Sequence, residues 1–123
     1  MTDQRESEIR EGLARVHARI DAARAAAGRT DAVRLVVVTK TFPASDVAIF
    51  ARLGVHDVGE NRDQEARAKH ADLGEEGAAL DWHMIGQLQR NKAASVALWA
   101  DVVESVDRAG IVAPLGRGAV SHG

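Results

Sequence analysis

Apolar residues at Ile9, Leu13, Val16, Ile20, Ala23 and Ala27 recur at steps of three and four, with Arg and Glu between them. That period predicts an amphipathic helix over about residues 5–27, and Gly28 is placed to stop it. The pattern then changes. Val33-Arg34-Leu35-Val36-Val37-Val38-Thr39 holds five apolar residues in seven, four of them valine, which predicts a strand buried on both faces and ending at Lys40. A helix over about residues 44–53 follows, capped by Gly54, and then a short strand over 55–59. Asn61, with Gln64 three residues on, has the spacing of a capping box and predicts a helix to about Leu73. Gly74-Glu75-Glu76-Gly77 reads as a loop, residues 80–85 as a third strand, and 89–98 as a helix. Residues 101–106 make a fourth strand, and a last helix starts near Arg108.

Strands alternating with helices at this pitch predict an α/β fold of βαβ units, with a parallel four-stranded sheet and right-handed crossovers. Chemistry in such folds gathers at the C-terminal ends of the strands. Those ends carry Lys40, Glu60-Asn61, His83 through Gly86, and Glu104 through Asp107, polar or glycine where the strand bodies are apolar. One face is expected to present an amine, a carboxamide and an imidazole.

Composition narrows the classes of function. The 123 residues allow one domain with a core, and 46% apolar with 28% charged residues describes a soluble globular chain. A net charge of −2, with acids and bases interleaved, gives no field or basic stripe for nucleic acid or an anionic membrane. No apolar stretch reaches membrane-spanning length, and the polar opening Met1-Thr2-Asp3-Gln4-Arg5-Glu6 is unlike a signal or transit peptide. The absence of cysteine excludes disulfides and thiolate metal sites and suits a reducing cytoplasm. Five scattered histidines lack metal-ligand spacing, so no metal site is expected.

The sixteen basic residues include only three lysines, Lys40, Lys69 and Lys92. Where Arg so dominates, a retained Lys invites a task that a guanidinium cannot do, and forming a Schiff base is one. A lysine at the mouth of a buried strand gives up water, which disfavours the ammonium form and frees the amine as a nucleophile. The other reading of Lys40 is a strand-end side chain reaching into solvent. Asn61 reads as a helix cap or a pocket residue, and His83 as a pocket residue or a satisfied core histidine. Trp82 should face away from His83 and pack in the core. Glu60 is expected to be a buried carboxylate paired with a basic neighbour that the sequence does not name. Arg90 and Lys92, near a helix start, read as surface charge or as anion ligands.

Thr39-Lys40-Thr41-Phe42-Pro43, Gly59-Glu60-Asn61, Trp82-His83-Met84-Ile85-Gly86 and Leu88-Gln89-Arg90-Asn91-Lys92, in that order at successive strand ends, resemble the pyridoxal-phosphate homeostasis proteins. These are the YggS or PROSC-like family, single-domain relatives of the alanine racemase N-terminal barrel. The likeness covers about residues 33–108, with the N-terminal helix in its expected place. It implies a TIM-type (β/α)₈ barrel whose first-strand lysine carries pyridoxal 5'-phosphate as a Schiff base. By that resemblance Lys40 is the cofactor lysine, Asn61 and His83 lie around the cofactor pocket, and no residue is assigned to catalysis. The implied role is cofactor homeostasis in the cytoplasm with little or no catalysis. The alternatives are a fragment that binds nothing and, less favoured, an amino-acid racemase-like pyridoxal-phosphate enzyme. Racemisation needs a second proton-transfer residue, and the chain has no tyrosine.

A full barrel takes roughly 250 residues, with a floor of about 200. Residues 1–123 are therefore expected to be the N-terminal portion of a single alanine-racemase-like barrel domain, a half-barrel of about four βα units. The family's phosphate-binding segment has no counterpart here. A half-barrel would expose apolar strand edges, so self-association through them is expected unless they are covered.

Overall fold

The computed structural model describes residues 2–122; Met1 and Gly123, at the two ends of the sequence, lie outside the described residues. The chain divides into two compact units, Met1–Leu35 and Val36–Gly123.

The first unit is built on α1, Thr2–Ala26. Glu6–Arg10 at 3.1 Å and Arg5–Glu8 at 3.2 Å are ion pairs one turn apart on its surface. Of the apolar stripe, Ile9 is buried, Leu13 and Ile20 are half-buried and Val16 is exposed. Gly28 ends the helix with a φ of 66°, the left-handed conformation that a Cβ disfavours. Arg24 Nε then donates to the carbonyl of Asp31 at 3.0 Å, tying the outgoing segment to the last turn.

The second unit runs β1 (Val37–Val38), α2 (Ala44–Arg52), β2 (Asp57–Glu60), α3 (Asp63–Leu73), α4 (Glu75–Ala78), β3 (Asp81–Met84), α5 (Ala93–Val96), β4 (Val102–Val103) and α6 (Val112–His122). Short 3₁₀ turns at Arg90–Lys92 and Ala109–Ile111 lead into α5 and α6. The four strands form one parallel sheet in the order β1-β2-β3-β4. Sequential parallel neighbours joined through helices are consecutive βα units, the arrangement of a barrel wall. The α/β half-barrel expected from the sequence is what the chain forms.

Register assigns the two faces. Val37, Val58 and Trp82 stand side by side, as do Glu60 and Met84. Trp82 is fully buried on this helix-covered face, its ring 5.3 Å from His70 of α3 and 6.4 Å from Trp99. Its Nε1 donates to the carbonyl of Gly77 at 2.7 Å, so the indole is both packed and satisfied. Val47, Ile49, Ala66 and Val96 complete this core. The other face carries Val38, Gly59, His83 and Val102 in one row. Trp82 and His83 therefore face opposite ways, as strand alternation requires.

Several expectations change. The strand expected over 33–39 pairs only at Val37–Val38, and Val38 is 47% exposed, so it is an edge strand and not one buried on both faces. The loop expected at 74–77 instead includes the single turn of α4. Gly74, at φ 55°, breaks α3, and the chain re-enters helix at once. Gly77 fits there because an added Cβ would lie 3.0 Å from Leu73 Cβ and 3.1 Å from the His70 carbonyl. The helix expected over 89–98 is a 3₁₀ turn followed by one α-turn. No helix among the described residues is long and apolar enough to cross a membrane.

Candidate functional site

The ladder continues past the assigned strands: Thr39 N–H donates to Gly59 O at 2.9 Å, Ile85 N–H to Glu60 O at 3.0 Å and Glu104 N–H to Met84 O at 3.0 Å. Counting two residues on from the Val38, Gly59, His83 and Val102 row places Lys40, Asn61, Ile85 and Glu104 together at the C-terminal ends of the strands. His83 lies one row below. It lies within the ladder, whereas Lys40 and Asn61 stand just past the strand ends, in a turn and a bend.

Lys40 is exposed, and its ammonium makes no hydrogen bond or ion pair among the described residues. The loss of water expected of a lysine on a buried strand is absent, because β1 is an edge. Lys40 sits second in a turn closed by Phe42 N–H donating to Thr39 O at 3.1 Å. The third position, Thr41, has φ 68°, alone among non-glycine residues described. A β-branched residue in that region costs about 1–3 kcal/mol and persists only where its surroundings over-determine it.

Asn61 is exposed and does not cap α3. The chain stays extended through Arg62 (φ −119°, ψ 127°), which takes the N-cap position without a side-chain hydrogen bond, so the expected capping box does not form. Asn61 instead lies close against Gly86. A Cβ on Gly86 would lie 2.3 Å from both Asn61 O and Asn61 Oδ1, which leaves glycine as the residue that permits this approach.

His83 is buried and spans two carboxylates, with Nε2 2.8 Å from Asp57 Oδ1 and Nδ1 2.7 Å from Glu104 Oε1. Both ring nitrogens are engaged within the protein, so neither is turned toward a ligand. The satisfied core histidine is the geometry found, while the rim partner Glu104, with its side chain 46% exposed, extends the assembly to the strand ends.

Glu60 has the basic partner that the sequence left unnamed. It is Lys69, from the second turn of α3, which the sequence reading overlooked. Its buried Nζ lies 3.0 and 3.2 Å from the two Glu60 oxygens, 2.9 Å from Glu65 Oε1 and 2.8 Å from the carbonyl of Thr39. Thr39 Oγ1 donates to Glu60, and the Thr41 N–H donates to Glu65. The Lys69 ammonium, and after it the Thr41 N–H, hold the Glu65 carboxyl below its ordinary value. Glu65 also stands in the first turn of α3, where the helix dipole favours a carboxylate, and precedes Lys69 by four residues, the better orientation for such a pair.

A cleft of ≈ 730 Å³ opens between the start of α3 and the segment 87–92. Asn61 lines it, with Arg62, Lys92 and Arg108 as its cations, but Lys40 and His83 do not. Arg90 and Lys92 are both exposed. The structure therefore joins Lys40, Asn61 and His83 by sheet register and not by a shared cavity. An amine without a partner among the described residues and a carboxamide at the next strand end are group types that suit pyridoxal 5'-phosphate: an amine can condense with its carbonyl and an amide can hydrogen-bond its ring hydroxyl.

No family model matches the chain. It is 47% identical to the pyridoxal phosphate homeostasis protein of Mycobacterium tuberculosis over 126 aligned positions, covering 95% of this chain and 49% of that protein. Among solved structures, an unknown protein from Bifidobacterium adolescentis superposes with a TM-score of 0.87 at 37% identity, over 97% of this chain and 52% of that one. PipY of Synechococcus elongatus, solved with PLP bound, has a TM-score of 0.75 at 34% identity, over 92% of this chain and 49% of that one. The chain thus spans about half the length of the relatives it matches.

Proposed function

The chain belongs to the family of pyridoxal phosphate homeostasis proteins, and from that premise we propose that it binds pyridoxal 5'-phosphate as a Schiff base on Lys40 and serves cofactor homeostasis with little or no catalysis. The observation that carries the reading is the contrast between the lysines. Lys69 is buried with acceptors for every ammonium proton, whereas Lys40, in the turn after β1, is exposed and without a partner among the described residues. Condensation of the Lys40 amine with the cofactor's aldehyde forms a C=N bond and releases water. When bound, the group supplies an electron sink. Asn61, which lies close against Gly86, is assigned to hydrogen-bond the ring hydroxyl, a role its carboxamide suits. His83 serves the pocket indirectly, by bracing Glu104 on the strand-end row.

The proposal extends to the rest of the expected picture. Residues 1–123 act as the N-terminal portion of one alanine-racemase-like barrel domain, the protein works in the cytoplasm, and the open sheet edges favour self-association. The absence of cysteine in residues 1–123 suits that compartment.

The test is to add pyridoxal phosphate to the purified chain, follow the visible absorbance of a Schiff base, reduce it with borohydride and map the labelled peptide. The label is expected on Lys40. No label, or one on Lys69 or Lys92 alone, sinks the assignment. Incubating the loaded protein with L-alanine and separating the enantiomers is expected to yield no D-alanine.

A further inference from the structure

The turn that presents Lys40 is held from outside itself. On one side of Lys40 the Thr39 carbonyl accepts from Lys69 Nζ at 2.8 Å as well as from Phe42 N–H. On the other side the Thr41 N–H donates to Glu65, and Thr41 keeps its positive φ. Both tethers end in one cluster, because Lys69 also binds Glu65 and Glu60. Three ammonium protons face four oxygens within 3.2 Å, so Lys69 is fixed by its own partners and has no freedom to follow the turn. The Lys40 side chain, with no partner among the described residues, depends on its backbone for direction.

We propose that Lys69 is a positioning residue for Lys40: with Glu60 and Glu65 it fixes the backbone on both sides of Lys40 and so sets where the Lys40 amine stands on the open face of the sheet. The inference rests on the reading of Lys40 as the cofactor lysine. It adds that the second lysine acts through the first and never touches the cofactor. Pre-ordering of this kind strengthens binding by removing the cost of ordering the turn when the ligand arrives. Surroundings that over-determine Thr41 are also what its backbone conformation requires.

The experiment compares the 123-residue chain with Glu65→Ala, Lys69→Met and the double variant Lys69→Met/Glu60→Leu. The double variant removes a buried ion pair as a unit, a change that proteins often tolerate, so it separates positioning from stability. Two quantities are read: hydrogen exchange in the segment 39–42, without cofactor, and the equilibrium constant for pyridoxal phosphate trapped on Lys40. In all three variants exchange in that segment is expected to accelerate while β2 and β3 stay protected, and retention on Lys40 to weaken by about tenfold or more. A structural role alone predicts that the double variant recovers wild-type retention along with stability, and that result overturns the proposal. Wild-type retention in Glu65→Ala with a loosened turn overturns it equally. Absence of a Lys40 adduct in the wild-type chain overturns the functional reading first, and that arm tells the two failures apart.

Discussion

Gly86 is where one methyl group meets the most resistance. Its added Cβ would fall 2.3 Å from the main-chain and side-chain oxygens of Asn61, and the main-chain one can yield only if β2 and β3 move apart at their ends. Gly86→Ala is expected to destabilise the fold by about 1–3 kcal/mol, as overpacking does, and to weaken pyridoxal phosphate retention by shifting Asn61. Denaturant midpoints and a cofactor titration check the two effects, and a variant that keeps both at wild-type values refutes the assigned contact. Sequence pattern gave Asn61 the wrong neighbour. The Asn61–Gln64 spacing suits a cap, yet whether the helix begins there depends on Arg62, whose extended backbone delays α3 to Asp63. Glu60 was legible as a buried acid, because a carboxylate closing an apolar strand needs a partner. Lys69 was not, although the rarity of lysine that drew attention to Lys40 applied to it equally. Its i, i+4 relation to Glu65 was the other available signal.

At the scale of elements, α3 and the end of β1 are joined through Glu65, and that joint carries a charge. Glu65 is held below its unfolded value of 4.5 by the Lys69 hydrogen bond first and the Thr41 N–H second, against an opposing effect of burial. A depressed carboxyl contributes stability that is fully present above the unfolded pKa and is lost as pH falls through the folded one. Stability should therefore fall on acidification below about 4.5, and Glu65→Gln should flatten that acid limb while leaving the neutral region nearly parallel. Denaturant midpoints across the acid range measure this; superimposable acid limbs in the two proteins would falsify the linkage. The alternation of strands and main helices was legible, since hydrophobic period separates helix from strand, but the single turn of α4 was not, because four residues show no period. Strand length was not. The seven-residue apolar run ending at Thr39 forms only a two-residue ladder, Val37 with Val58 and Val38 with Gly59, although β2 spans Asp57–Glu60. Pairing partners are set by the sheet, which a single segment does not describe.

At the scale of the whole sheet, both outer strands keep an open side. Among the described residues, the order β1-β2-β3-β4 leaves β1 and β4 each with a strand neighbour on one side only. Val38, at 47% exposure, adds an apolar side chain to the first edge, and Val106, at 46%, lies just beyond the second. A net charge of −2 opposes contact between copies only weakly. Edge pairing predicts reversible association that grows with protein concentration in sedimentation velocity. It should respond little to added salt, because the contact is made by backbone and apolar groups and not by screened charges. Val38→Lys places a charge on the β1 edge at a side chain already half in solvent, so it should leave the fold intact and shift the distribution toward monomer. Association that salt abolishes and Val38→Lys leaves untouched would assign it to surface ion pairs. A wild-type chain that stays monomeric at the highest attainable concentration would show that these edges are self-limiting, and the short two-residue ladders of β1 and β4 would be the physical reason.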